Sequence, residues 1–301
     1  MKIGLCLSGG LAKGAFQFGF IKALLKYVPY EDIEIVSATS IGMINAYGLC
    51  ANKMDEVENL WRTIHYDNIG RLLNDCWFHG CITRYLKTVI KETDELKIPY
   101  YCSITYLPII LVGRYYLVKG KYKKKWIKFS RASMGFPVIT GWPKFYKGIL
   151  TIDGGVFDNI PIYPLMKKHD LDLIFCLHFD SRYILEKEWR NSKTIVVDLD
   201  ASLGSGLRKL SFDFNTLVLN KMVDDGYKYG IKVCDKIFES GYGNNEGIAK
   251  SANDLYQEEF VKRMESGSID RLVTTLNSFS KLFRREKCIK NLIKNKKRQK
   301  S

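Results

Sequence analysis

The sequence predicts an α/β fold with a mainly parallel central sheet flanked by helices. Three observations predict it. The chain opens as strand, glycine-rich turn, helix, strand, turn, helix over its first fifty residues. Its strongest strand candidates are uninterrupted apolar runs, as expected of strands buried on both faces, rather than alternating ones. Helical periodicity separates and follows them, the order that builds a parallel sheet covered by helices.

The elements follow in order. Ile3 to Leu7 reads as a buried strand, and Ala12 to Tyr27 as a helix with Ala15, Phe16, Gly19, Phe20, Ala23 and Leu24 at helical spacing, ended by Pro29. "IEIVSATS" (33 to 40) is a second strand and "IGMINAYGLCA" (41 to 51) a second helix. Residues 54 to 97 are mostly helical with one polar side, and 100 to 129, rich in Tyr, Ile, Val and Leu, suggest a strand and a hairpin punctuated by Gly113 and Gly120. "TIDGGVFDNIPIYPL" (151 to 165) is a strand end, a tight turn and a loop closed by two prolines; "LDLIFCLHFD" and "TIVVDLD" are two more buried strands. Beyond residue 210 the signal is helical, with Gly226, Gly230 and "SGYGNNEG" as interruptions. The expected organisation is one α/β domain over 1–240 and a helical extension with a basic tail over 241–301.

At 301 residues the chain can bury a substantial core. Its eight cysteines form no C-x-x-C pair and no zinc-finger spacing, so they are expected to be free thiols in a reducing compartment, and no metal or cofactor constellation is visible. The opening apolar run is too short for a signal-peptide core and no run reaches the length of a spanning helix, so a soluble, cytoplasmic protein is expected. The net charge of +15 is concentrated in two places: residues 101–150 carry ten Lys/Arg and no acid, and residues 281–301 carry ten against Glu286 alone. Such patches attract polyanions. The basic, aromatic stretch 114–131 and the amphipathic tail 281–301 are therefore candidate contacts with an anionic membrane surface, against the plainer readings of a lysine-protected sheet edge and a solubilising tail.

Three segments carry candidate chemistry. In "SATSIGMINA", Ser40 stands where a strand gives way to a helix, with small residues Ala38 and Gly42 two positions to either side, the pattern of a nucleophile elbow; an ordinary helix cap is the competing reading. "SGGLAKG" (8 to 14) fails as a phosphate loop because Ala15 stands where the lysine must be, and fits a dinucleotide turn poorly because Leu11 occupies the middle glycine. It suits an oxyanion hole, where the amides of Gly9, Gly10 and Leu11 at a helix N-terminus point at a developing negative charge and Lys13 adds a cation nearby. "IDGG" supplies Asp153 at a strand end, before Gly154 and Gly155, although an Asp-Gly turn is common without any chemistry.

Taken together, Ser8-Gly9-Gly10-Leu11-Ala12-Lys13-Gly14, then Ala38-Thr39-Ser40-Ile41-Gly42, then Asp153-Gly154-Gly155 running on to Pro161, with "SRASMGFP" (130 to 137) ahead of the last, resemble the patatin-like phospholipase family over roughly residues 3 to 180. The resemblance implies a three-layer sandwich and a serine hydrolase acting on carboxylic esters of phospholipid or lysophospholipid through a Ser–Asp dyad. Ser40 would be the nucleophile, Asp153 the general base, and Gly9, Gly10 and Leu11 the oxyanion hole; no cofactor or nucleic acid is implied. Leu11 and Ala38 depart from the family, which usually has glycine at both places. They leave open a non-catalytic anionic-lipid or nucleic-acid binding protein that keeps the fold. A Ser-Asp-His esterase using His178 is the other alternative, since Ser40, Asp153 and His178 reproduce a hydrolase chain order.

Overall fold

A computed structural model describes residues 1–107, 112–121, 125–135, 140, 144–202, 207 and 210–265. Eight strands form one sheet: β1 (Ile3–Leu7), β2 (Ile33–Ala38), β3 (Glu95–Tyr106), β4 (Val112–Lys121), β5 (Lys144–Tyr146), β6 (Ile149–Ile152), β7 (Leu173–His178) and β8 (Ile195–Asp200). The order is β5-β6-β3-β2-β1-β7-β8, with β4 also paired to β3. The five strands β3, β2, β1, β7 and β8 run parallel, as the unbroken apolar runs predict, while β4, β5 and β6 form antiparallel pairs at one side.

The alternation along β1 divides the core. Ile3, Leu5 and Leu7 face a large cluster containing α1 (Gly14–Leu24), α2 (Gly42–Cys50) and α3 (Met54–Thr63). That layer continues through α4 (Ile69–Asn74), α5 (Cys81–Val89) and α6 (Lys125–Ser133). Cys6 faces the other way, into a smaller cluster under α8 (Tyr163–Lys168) and α9 (Lys187–Arg190). The short α7 (Gly155–Asp158) follows the DGG turn. Two long helices close the described chain: α10 (Thr216–Ile237) packs along α1, and α11 (Asn245–Glu265) packs against β8.

Three expectations change. Gly226 and Gly230 do not interrupt a helix; both are buried inside α10. A Cβ on Gly226 would lie 2.0 Å from the Phe16 carbonyl oxygen, and one on Gly19 the same distance from that of Val223, so these glycines let two helix backbones touch. Residues 125–129 belong to helix α6 rather than to the hairpin, because Trp126 and Phe129, four positions or fewer apart, turn the same way into the core. Finally, Cys76 and Cys81 are joined in a disulfide. Gly80 at φ +64° reverses the chain between them, which a five-residue spacing does not announce. Cys6, Cys50, Cys102, Cys176 and Cys234 are free and buried, and Cys288 lies outside the described residues.

Candidate active site

Strand β3 brings the two decisive segments together. On one edge it pairs in parallel with β2, ending at Ala38 opposite Cys102. Further along it pairs antiparallel with β6, at Thr105 opposite Ile152. Since β4 pairs with β3 at both levels, β2 and β6 share the remaining edge and approach each other head-on. The residues just past their ends, Ser40 and Asp153, therefore meet.

Ser40 sits at φ +51°, a left-handed conformation that costs a non-glycine residue about 1–2 kcal/mol and marks a sharp turn. The turn needs a small neighbour: a Cβ on Gly42 would come within 2.8 Å of the Leu7 carbonyl oxygen. Ala38 is fully buried, and its methyl is accommodated as part of the core. The helix-cap reading fails, because α2 has no side-chain cap. The Thr39 hydroxyl bonds to that of Ser103, and Ser40 Oγ donates to Asp153 Oδ2 at 2.6 Å.

Asp153 is gripped from every side. Its amide donates to the Gly135 carbonyl at 3.0 Å, its carbonyl accepts from Thr105 Oγ1 at 2.8 Å, and its Oδ1 accepts from the Gly155 amide at 2.7 Å. Ser133 in the preceding segment takes the Gly154 amide at 3.0 Å. Gly154 is required by contact, since a Cβ there would lie 2.2 Å from the Ser103 carbonyl oxygen. The residue is only 2 % exposed. Burial pushes its pKa up to about 6, against the opposing pull of the hydrogen bonds from Ser40 and Gly155.

The glycine corner lies beside this pair. The Gly9 amide donates to the Asn159 carbonyl at 3.3 Å, Ala12 to Ser211 and Lys13 to Gly10, whereas the amides of Gly10 and Leu11 have no acceptor among the described residues. Leu11 adopts φ +54°, the conformation for which glycine is the usual occupant. A Cβ on Gly9 would come within 3.0 Å of the Ser40 Cβ, and one on Gly14 within 2.7 Å of Trp61. Lys13 is 8 % exposed with its ammonium 5.0 Å from the Phe179 ring centroid. Burial lowers its pKa, and the charges of Asp200 and Asp180 oppose that effect.

Two cavities meet here, sharing Leu11, Ser40 and Asp153. One is narrow, about 60 Å³, and walled by Ile41, Ile44, Trp61, Leu72, Tyr85, Met134 and Phe214 among others. The other is wider, about 450 Å³, and polar, with Lys13, Asp158, Asn159, Asp180 and Arg182 on its walls. A carbonyl bound next to Ser40 could therefore extend an apolar chain one way and a polar group the other.

Sequence reasoning missed several supports of this geometry. Asn159 joins the glycine corner to the DGG turn. Asn45, a polar residue in an otherwise apolar helix, donates to the Gly14 carbonyl at 2.8 Å and accepts from Trp61 Nε1 at 2.9 Å. That misfit was the available signal. His178 lies elsewhere in the network: it is fully buried, its Nε2 pairs with Asp198 at 2.9 Å, and its Nδ1 accepts from the Asp180 amide at 3.3 Å. In the basic stretch 114–131, Arg114, Lys119, Lys121 and Lys128 stay exposed, but Trp126 and Phe129 are core residues. Residues 122–124 and the tail 281–301 lie outside the described residues. Among the described residues no helix is long and apolar enough to cross a membrane.

Comparison with known proteins agrees with the motifs. The chain is similar to lysophospholipase NTE1 of Scheffersomyces stipitis (25 % identity over 182 residues, 55 % of this chain and 11 % of that protein). Similarity extends to the same-named proteins of Mycosarcoma maydis (26 %, 54 % of this chain, 9 % of that one) and Cryptococcus neoformans var. neoformans (27 %, 58 % and 11 %). The chain thus spans about a tenth of the length of these relatives. Among solved structures, VipD from Legionella pneumophila aligns at 13 % identity with a TM-score of 0.36, over 92 % of this chain and 79 % of that one. Residues 5–97, which hold the glycine corner and the Ser40 turn but not Asp153, match the family model described as Patatin-like phospholipase.

Proposed function

We propose that the protein is a lipid acyl hydrolase that cleaves carboxylic esters of phospholipids or lysophospholipids, with Ser40 as nucleophile and Asp153 as general base. The observation that carries this reading is the 2.6 Å hydrogen bond from Ser40 Oγ to a buried carboxylate at the junction of an apolar and a polar cavity. The family match and the relatives named lysophospholipase support it.

As Ser40 Oγ attacks the acyl carbonyl, its proton passes to Asp153 Oδ2 along the existing hydrogen bond. A carboxylate near its ordinary pKa is a poor base in water; burial raises its basicity into a useful range. The tetrahedral oxyanion is held by the amides of Gly10 and Leu11, while the Gly9 amide anchors the loop to Asn159. Asp153 then protonates the departing alcohol, and water repeats the cycle to release the fatty acid. The acyl chain occupies the apolar cavity and the alcohol side of the ester the polar one.

The dyad is preferred to the triad because both ring nitrogens of His178 are engaged by Asp198 and the Asp180 amide. Hydrolysis of lysophosphatidylcholine and of a p-nitrophenyl ester by the wild type, Ser40→Ala and Asp153→Asn tests the reading. Activity must fall by about a thousandfold or more in both variants; a fully active Ser40→Ala protein would refute it.

A further inference from the structure

The geometry points to a lipid-docking face at the rim of the apolar cavity, formed by Ile69, Phe78, Phe212 and Leu217, that inserts into the surface of a zwitterionic bilayer or micelle. This inference rests on the hydrolase reading for the nature of its partner. Leu217 and Phe78, at 79 % and 73 %, are the most exposed large apolar side chains among the described residues; Ile69 and Phe212, at 43 % and 44 %, are exposed as well. Scattered apolar side chains on a surface need no explanation, but these four are not scattered.

Each lies within three residues of a side chain that walls the apolar cavity. Ile69 shares α4 with Leu72, Phe78 follows Cys76 by two positions, and Phe212 and Leu217 flank Phe214. Leu72, Cys76 and Phe214 pack into a single cluster, so the three segments converge. Backbone and hydroxyl bonds lock them side by side: the Tyr66 amide donates to the Phe214 carbonyl at 3.0 Å, and Thr216 Oγ1 to the Ile64 carbonyl at 2.9 Å. An acyl chain leaving a lipid layer for this cavity would cross an apolar rim without passing through water.

Charge chooses the kind of lipid surface. Among the described residues, the arginines beside the rim are already paired, Arg71 with Asp67 and Arg84 with Asp75, so the described part of this face presents apolar area rather than free positive charge. The basic strand β4 offers the opposite, exposed lysines with its neighbouring aromatics Trp126 and Phe129 turned into the core. Insertion of Phe and Leu side chains drives binding that is insensitive to salt.

The test uses the full chain with phosphatidylcholine vesicles, comparing the wild type, the double variant Phe78→Ser/Leu217→Ser, and Phe145→Ser. Phe145 is 66 % exposed on strand β5 and lines neither cavity, so it controls for loss of exposed apolar area alone. The double variant should pellet with vesicles about 100-fold more weakly, roughly tenfold per large apolar side chain withdrawn. Its hydrolysis of vesicle-borne lysophosphatidylcholine should fall in parallel, while Phe145→Ser behaves as wild type. Turnover of a soluble short-chain p-nitrophenyl ester within about twofold of wild type shows that the double variant is folded with its site intact.

Equal pelleting of wild type and double variant overturns the proposal. So does wild-type binding that requires anionic lipid and vanishes in high salt, or gel filtration showing that the double variant converts a wild-type dimer into a monomer, which would make the face a contact between copies. Vesicle binding that depends on Phe78 and Leu217 in a wild type that hydrolyses no ester would refute the hydrolase reading and leave the docking face standing.

Discussion

In the proposed mechanism Asp153 concentrates the chemistry and its cost in one side chain. Its carboxyl is buried and its pKa is raised to about 6, so it binds a proton more tightly in the folded protein than in the unfolded chain. The stability this contributes is fully present below the unfolded value near 3.8 and is lost as pH rises through about 6. Catalysis needs the opposite form, so kcat/KM should rise with pH with a midpoint near 6, measurable with a soluble ester. The same shift predicts that Asp153→Asn is more stable than wild type at pH 8, by up to about 3 kcal/mol, and that the gap narrows as pH falls below 6 and closes only below the unfolded value near 3.8 in urea titrations. Asparagine can keep both contacts, accepting from Gly155 and donating to Ser40. Leu11 makes a second case at this scale. Its φ of +54° stores strain that glycine would not, so Leu11→Gly should gain about 1 kcal/mol, read as a higher urea midpoint, with turnover retained because the donor is a backbone amide.

Among the elements, the contact between α1 and α10 does most to hold the glycine corner. The corner feeds directly into α1, and α1 is buried on nearly all sides between the sheet and α10. Gly226→Ala would drive a methyl to 2.0 Å from the Phe16 carbonyl and force the helices apart. The expected result is a loss of about 2–4 kcal/mol in stability, with turnover falling in the protein that remains folded, because the amides of Gly10 and Leu11 move with α1. Circular dichroism melts together with titration of active sites separate the two effects. This contact also shows where sequence reading stops. The apolar runs of β1, β2, β7 and β8 carry enough information to name those strands, because both faces are buried and period does not matter. Gly226 and Gly230 look like breaks because a glycine's use depends on the backbone beside it, and that backbone lies some 200 residues earlier in the chain. The Ser40 turn was legible because its φ and its small neighbours are local demands; the role of Asn159 was not, because it depends on how distant segments meet, and the Cys76–Cys81 disulfide was not, because it depends on the left-handed turn at Gly80.

Across the whole molecule, the sheet serves as a ruler that sets Ser40 against Asp153, and a separate charged cluster holds the far side. His178, Asp198, Asp200, Glu259 and Arg263 are all buried, with Arg263 within 3.5 Å of Asp198 and 3.3 Å of Glu259, tying α11 to β7 and β8. The pKa of His178 is raised because Asp198 and Asp200 outweigh the effect of burial. His178→Ala leaves Asp198 without this partner and should cost about 3–5 kcal/mol in stability, with little change in turnover per folded molecule; an equal loss of chemistry would point to the triad instead. The central claim is that Ser40 is a nucleophile activated by Asp153. It is tested most directly by labelling the full chain with a fluorophosphonate and mapping the adduct by mass spectrometry across pH. One adduct is expected, on Ser40, absent from Ser40→Ala, strongly slowed in Asp153→Asn, and forming at a rate that climbs through pH 6. An adduct elsewhere, or a Ser40 adduct whose rate ignores both Asp153 and pH, would contradict it.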